Sequence, residues 1–456
     1  ATGGTALGAQ SLEANTTGNY NTAVGMQSLE SNQSGTDNVA VGYYAMQANL
    51  ASNNVAVGRR ALAANTTGAQ NTAIGNNALD ANTTASYNTG VGADALGANT
   101  TGTNNVALGR DAGKTQTTLN GCTWIGTSAG QVNIADNNTG VGAGALYANT
   151  TGTHNTALGT GVYGSTQGAL GANTTGSHNT SVGSRSLRLN TTGDNNTAVG
   201  DRALAANTTQ ANNVAIGYRA LINQTTADQN TAVGADAMYT NTTGEYNTAM
   251  GYMALYANTT ASDNTAIGYQ ALLNNSTGTP NTAVGKSALQ ANTTGSHNTA
   301  VGYVSGQNIT TGTKNTSMGT HSLDVLTTGN FNTAVGQDAL GSATQSDYNT
   351  AVGQHALFAC TTGHTNAAFG FNALDACTTG TRNVAMGSDT AGALTTGNRN
   401  TAIGNFCMAG NTVTSDENTA VGDNALRELT GGTRNVALGT HALYGANGAI
   451  TGSYNV

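Results

Sequence analysis

From Thr5 onward, one short pattern of apolar and polar positions returns along the whole chain. Asn21-Thr22-Ala23-Val24-Gly25 reappears with little change as Asn71 to Gly75, Asn196 to Gly200, Asn230 to Gly234, Asn281 to Gly285 and Asn349 to Gly353. There are 26 such starts between Gly4 and Asn435, usually at a 17-residue period, and Asn455-Val456 opens one more. A fixed period of this kind is the signature of a solenoid, in which each repeat stacks on the next because none can bury its apolar face alone. The idealised rung reads N-T-A-V-G-x-x-A-L-x-A-N-T-T-G-x-x.

Its first five positions alternate as a strand does, so Thr22 and Val24 face one way and Asn21, Ala23 and Gly25 the other. The Ala-Leu pair that follows predicts a second short strand. A-N-T-T-G has turn chemistry, since Asn and Gly tolerate the left-handed backbone of a tight corner. A rung of this length is too short for strand, helix and two loops. The expected fold class is therefore all-β, a parallel β-solenoid of about 26 rungs running through residues 1–456 as one repeat domain.

Each position sits above its counterpart one period away, so rows carry the information. Val24, Val41, Ile74 and their equivalents are apolar in every rung, and Leu29, Leu62 and Leu204 head a row that is apolar in most. These two rows form the expected core, each buried side chain contributing about 1.5–3 kcal/mol. The row of Ala23, Ala40, Ala56, Ala73, Ala198 and Ala283 holds small residues in every rung except at Trp124. A face open to water would admit Lys, Glu or Gln somewhere, so this stripe is expected to pack on another backbone, with an oligomer sharing it. Trp124, the only Trp, either fills space freed where Gly113 and Gly130 replace the core Leu or projects as a contact residue.

Composition supports this picture. Charged residues are 8%, aromatics 5% and Pro a single residue, too little bulk for several rounded cores and too little charge or Pro for a disordered tract. The net charge of −8 and 14 scattered basic residues form no cluster able to neutralise a run of phosphates, so nucleic acid is not an expected partner. No stretch has the roughly 20 apolar residues of a membrane helix, so membrane insertion is not expected. Four cysteines make neither a disulfide framework nor a zinc-finger spacing.

Little in the chain points to catalysis, and no cofactor, metal or catalytic residue is expected. Gly159-Thr160-Gly161-Val162-Tyr163-Gly164 matches G-x-G-x-x-G, but no βαβ context surrounds it. The segment is an insertion: the step from Asn155 to Asn179 exceeds the period by seven, so that many residues near 160–166 must leave the rung as a loop. Tyr163 on that loop is a candidate surface contact. Tyr252, Tyr269 and Tyr303 share the first corner position after Gly, with Lys286 among them, and either stack on sugar rings or cover the adjoining rung. His154, His178 and His297 share a position but are expected on separated rungs. Cys360 and Cys377 are one period apart and hence stacked, so they are either a disulfide or two reduced thiols.

The rungs Asn38-Val39-Ala40-Val41-Gly42 and Asn213-Val214-Ala215-Ile216-Gly217 resemble the N-S-V-A-I-G repeats of trimeric autotransporter adhesin heads. The whole chain is similar to the N-T-A-V-G-Y-Q-A-L repeats of phage tail fibre and tailspike proteins, well matched at Asn264 to Leu272. These resemblances imply a left-handed parallel β-roll, three chains side by side as a homotrimer, an extracellular, cell-surface or virion location, and attachment to a glycan or protein receptor. The leading expectation is thus a trimeric structural or adhesive fibre segment. One alternative is ice binding by the double Thr rows such as Thr66-Thr67, Thr100-Thr101 and Thr208-Thr209. Another is end-to-end assembly into a filament, because both ends stop mid-pattern without a polar cap, as does a segment of a longer chain.

Overall fold

The computed structural model describes residues 2–161, 166–410, 414–445 and 451–456. Within them it is all-β, a parallel β-solenoid without helix, and each rung contributes one three-residue strand. The chain falls into two units, Ala1–Asn230 and Thr231–Val456. The first holds thirteen strands, β1 (Thr5–Leu7) to β13 (Val214–Ile216), and the second thirteen more, β14 (Thr231–Val233) to β26 (Val436–Leu438). Within each unit neighbouring strands pair in parallel with like positions opposed, Thr22 on Val39, Ala23 on Ala40 and Val24 on Val41. The register survives the insertion: β10 (Thr156–Leu158) pairs in step with β11 (Thr180–Val182), so the extra residues leave the coil without shifting a row.

The Ala-Leu pair forms no second strand. Gln27 (φ 56°) and Leu29 (φ 50°) both lie in the left-handed region, and these positions do so in nearly every rung. A turn closes where Ser28 N–H donates to Gly25 O at 3.3 Å. Backbone bonds then run alternately backward and forward, from Gln27 N–H to Ala9 O (2.9 Å) and from Leu29 N–H to Ala45 O (3.1 Å). A left-handed residue costs roughly 1–2 kcal/mol when it is not Gly. The gain is that Leu29 points inward and is fully buried, as are Leu62 and Leu204.

The strand presents its other side to the core from the one expected. Ala23, Ala40, Ala56, Ala73, Ala198 and Ala283 are inside the coil and fully buried by their own chain. Val24, Val41 and Ile74 face outward, half-buried to exposed. Burial alternates along the strand, and volume decides which face is enclosed. A coil with one strand per rung must hold the Leu row and two rows of Asn, leaving room at the strand centre for little more than a methyl group. A Cβ on Gly90, in the Ala row, would already lie 3.3 Å from Leu79 Cγ.

Trp124, the centre of β8 (Thr123–Ile125), shows the same limit. It is fully buried and no interface residue, and a Cβ on Gly113, Gly130 or Gly140 would come within 2.6, 2.4 and 2.9 Å of the indole. Gly113 and Gly130 adopt φ 57°, close to the backbone that Leu takes elsewhere in the row, so the indole and not the turn requires Gly there.

Polar groups inside the coil are organised as ladders. Asn38 N–H donates to Asn21 Oδ1 (3.0 Å), while Asn21 Nδ2 donates to Gly35 O (2.8 Å). This clamp repeats up each unit, and a carboxamide fits because it accepts and donates at once. A second ladder uses the Asn of N-T-T, with Asn82 Nδ2 on Asn65 Oδ1 at 2.8 Å and Asn99 Nδ2 on Asn82 Oδ1 at 3.0 Å. In the second unit this ladder ends at Asn292, whose Oδ1 has no partner, and the buried Ile309, Leu326, Cys360, Cys377 and Leu394 continue the row.

Candidate functional site

The outward strand face is chemically uniform along each unit. In all 26 strands the residues flanking the central one are Thr, Val or Ala on one side and Val, Ile, Leu, Met or Phe on the other. Charged residues and amides are absent from both rows. Away from the chain ends, larger members of the apolar row stand well into solvent, from Val57 at 36% exposed to Leu108 at 48%. With the half-buried valines between them, the thirteen members of the row in each unit expose on the order of 500 Å², and the Thr row beside them adds more. An apolar surface of that size matches the largest patch a typical monomer shows, and such patches are often functional, which makes this face the candidate interaction surface.

The corner after each strand carries the tyrosines. Tyr252 and Tyr269 stack on one another with ring centroids 5.5 Å apart. Lys286 Nζ lies 5.8 Å from the Tyr269 centroid and 5.5 Å from that of Tyr303. His321 meets the edge of Tyr303 at 5.6 Å. Ring faces engaged in this way cover the neighbouring rung and leave mainly edges and hydroxyls to a ligand. Tyr163 lies outside the described residues, as do the last three residues of the G-x-G-x-x-G match.

His154 and His178 are neighbours, contrary to expectation. Their rings stack at 5.0 Å, because the insertion hides in the sequence that they occupy consecutive rungs. Among the described residues no group of three or more His, Cys, Asp or Glu could hold a metal ion.

In the N-T-T rows the first Thr spends its hydroxyl on the protein. Thr66 Oγ1 donates to Thr83 O and Thr100 Oγ1 to Thr117 O, each at 3.0 Å. The second, as at Thr67, Thr101 and Thr209, is exposed, whereas Thr66, Thr100 and Thr208 are half-buried. The double row is thus not two equivalent lines of free hydroxyls, which disfavours it as an ice-matching array.

Cys122, Cys360, Cys377 and Cys407 are free and buried. The Cys360 thiol donates to Gly363 O at 3.4 Å, taking over the carbonyl that an Asn amide would occupy. Burial pushes the Cys360 thiol up to about 12 and the other three to about 11. In the unfolded chain a thiol ionises near 9, so stability from these groups is intact below about pH 9 and is lost as pH rises toward 11–12. The native protein at pH 8 is expected to leave all four thiols unreacted with a maleimide, and the denatured, unreduced protein to react at all four. Two thiols missing after denaturation would instead mean one disulfide, and peptide mapping would test whether it joins Cys360 and Cys377.

No protein-family model matches the chain, and a search of curated proteins finds no match either.

Proposed function

We propose that this chain is a structural or adhesive fibre segment, a homotrimer whose copies associate through the outward strand face. The observation that carries the reading is the composition of that face: neither row admits a charged or amide side chain in any of the 26 strands. The interface is thereby moved from the Ala row to the Thr and Val rows, while the reason for expecting one is unchanged. A second copy has the same 17-residue period and strand spacing, so it stays in phase with the face over thirteen rungs. An unrelated surface would fall out of step. The exposed area approaches the roughly 800 Å² per partner of a stable interface. Variation in side-chain size along the row, from Val284 to Met318 and Phe369, suits packing against a partner more than matching a crystal lattice of ice.

Light scattering is expected to give three times 45.3 kDa for the native particle. Combining Ile74→Lys, Leu108→Lys, Ile267→Lys and Met318→Lys should reduce it to one chain with an unchanged far-UV spectrum, because outward substitutions each cost within about 0.5 kcal/mol of fold stability. A wild-type particle of one chain overturns the reading.

A further inference from the structure

Four of the chain's 14 basic residues, Arg185, Arg188, Arg202 and Arg219, fall within three consecutive rungs of the first unit. Arg185 and Arg202 hold the same corner position, one rung apart, at φ 57° and 58°. Arg188 stands three residues further along its own rung. Arg185, Arg188 and Arg202 line a cavity of about 380 Å³ whose remaining walls include Ala205, Ala206 and Ile222. A second cavity of about 240 Å³, lined by Thr160, Gly161, Gln167 and Ser184, shares Arg185 with the first.

These arginines differ from most others in the chain. Arg60 pairs with Asp80, Arg399 and Arg434 with Glu417, and Arg427 with Glu428. Among the described residues neither Arg185 nor Arg188 is paired with a carboxylate, and Arg188 Nε is buried without a hydrogen-bond partner. Arg202 has one carboxylate partner among the described residues, Asp201, 3.8 Å from its Nε. A shielded guanidinium N–H left unpaired costs about 1–3 kcal/mol, which an anionic oxygen would recover. Guanidinium suits such oxygens because its planar fork can engage two at once.

We infer that the two joined cavities form a binding site for an acidic saccharide, one carrying sulfate or carboxylate groups. The arginines take the anionic groups, the Ala205, Ala206 and Ile222 side chains lie against a ring, and Thr160, Ser184 and Gln167 meet hydroxyls in the adjoining cavity. A nucleic acid is the poorer fit, since it would bring a run of phosphates to a chain of net charge −8 with three arginines at one spot. The site deepens the adhesive reading and rests on it for its role. Its test does not use the native mass, so either can fail without the other.

The experiment titrates the full chain into a fluorescent, heparin-derived sulfated hexasaccharide, with its desulfated form, a neutral maltohexaose and a single-stranded DNA hexamer as parallel probes. Saturable, salt-sensitive binding of the sulfated sugar is expected. Arg185→Gln with Arg188→Gln should weaken it at least tenfold, and Arg382→Gln with Arg399→Gln, distant in sequence and in the other unit, should not. Equal melting curves establish that both variants are folded, and Arg202→Glu alone provides a second reading of the same loss. Absence of saturable binding, equal weakening by the remote pair, or DNA binding as tight as that of the sugar would each overturn the assignment.

Discussion

Trp124→Ala is expected to destabilise the first unit by about 3–5 kcal/mol from the emptied volume alone. Little can collapse into the gap, because Gly113, Gly130 and Gly140, which lie against the indole, have no side chains to move. The indole Nε1 also donates to Gln116 Oε1 at 2.9 Å. Removing it leaves a buried acceptor bare and adds about 1–3 kcal/mol. Trp124→Phe isolates that second contribution, since it retains most of the volume. The decisive variant combines Trp124→Ala with Gly113→Leu, Gly130→Leu and Gln116→Asn, which gives this segment the residues of its neighbours. Leu96 and Leu146 already adopt φ near 50° in the same row, so the new leucines meet no backbone obstacle. Denaturant midpoints should fall for the single variant and return most of the way for the fourfold one. Were Trp124 a contact residue on the surface, Trp124→Ala would leave the midpoint unchanged.

The period, the parallel stacking and the strand over Thr22–Val24 were legible because side-chain alternation and row identity are written directly in the residues. Which face of the strand turns inward was not. Hydrophobicity favours Val24 over Ala23, but the coil encloses so little space that the smaller side chain takes the inside and the larger one is left outside. The turn at Leu29 was illegible for a different reason. Leu carries no cue for φ 50°, and the backbone bonds to the rungs above and below, with the burial of the side chain, offset that conformation. The arginine site had a signal, since Arg185 and Arg202 are one period apart, but basic residues read along the chain look scattered. Read down the rows they converge. The stacked His154 and His178 were hidden by the insertion between them, which breaks the period that would have aligned them.

Gly285→Ala is expected to break the second unit at the substituted rung, through two costs that add. Gly follows every one of the 26 strands, and Gly285, after β17 (Thr282–Val284), has φ 137°. That backbone is nearly closed to any residue with a Cβ, at a cost of about 1–3 kcal/mol. The added carbon would lie 2.2 Å from Gly302 O. Relieving that overlap takes roughly 1–3 kcal/mol more. Gly295→Ala is the control. A Cβ there would also crowd a backbone carbonyl, Gly312 O at 2.4 Å, yet the chain places Ala85, Ala227 and Ala261 in the same row. Gly295 has no positive φ, so small backbone shifts suffice and the change should stay within about 1 kcal/mol. Because each rung is stabilised by its neighbours, the damage at Gly285 should appear as a local opening, with amides between Ala283 and Gly302 exchanging faster than those several rungs away. Equal effects of the two alanines would mean that crowding alone governs the stack, whereas a large loss at Gly285 with little at Gly295 assigns the requirement to the backbone angle that lets the strand turn into the corner.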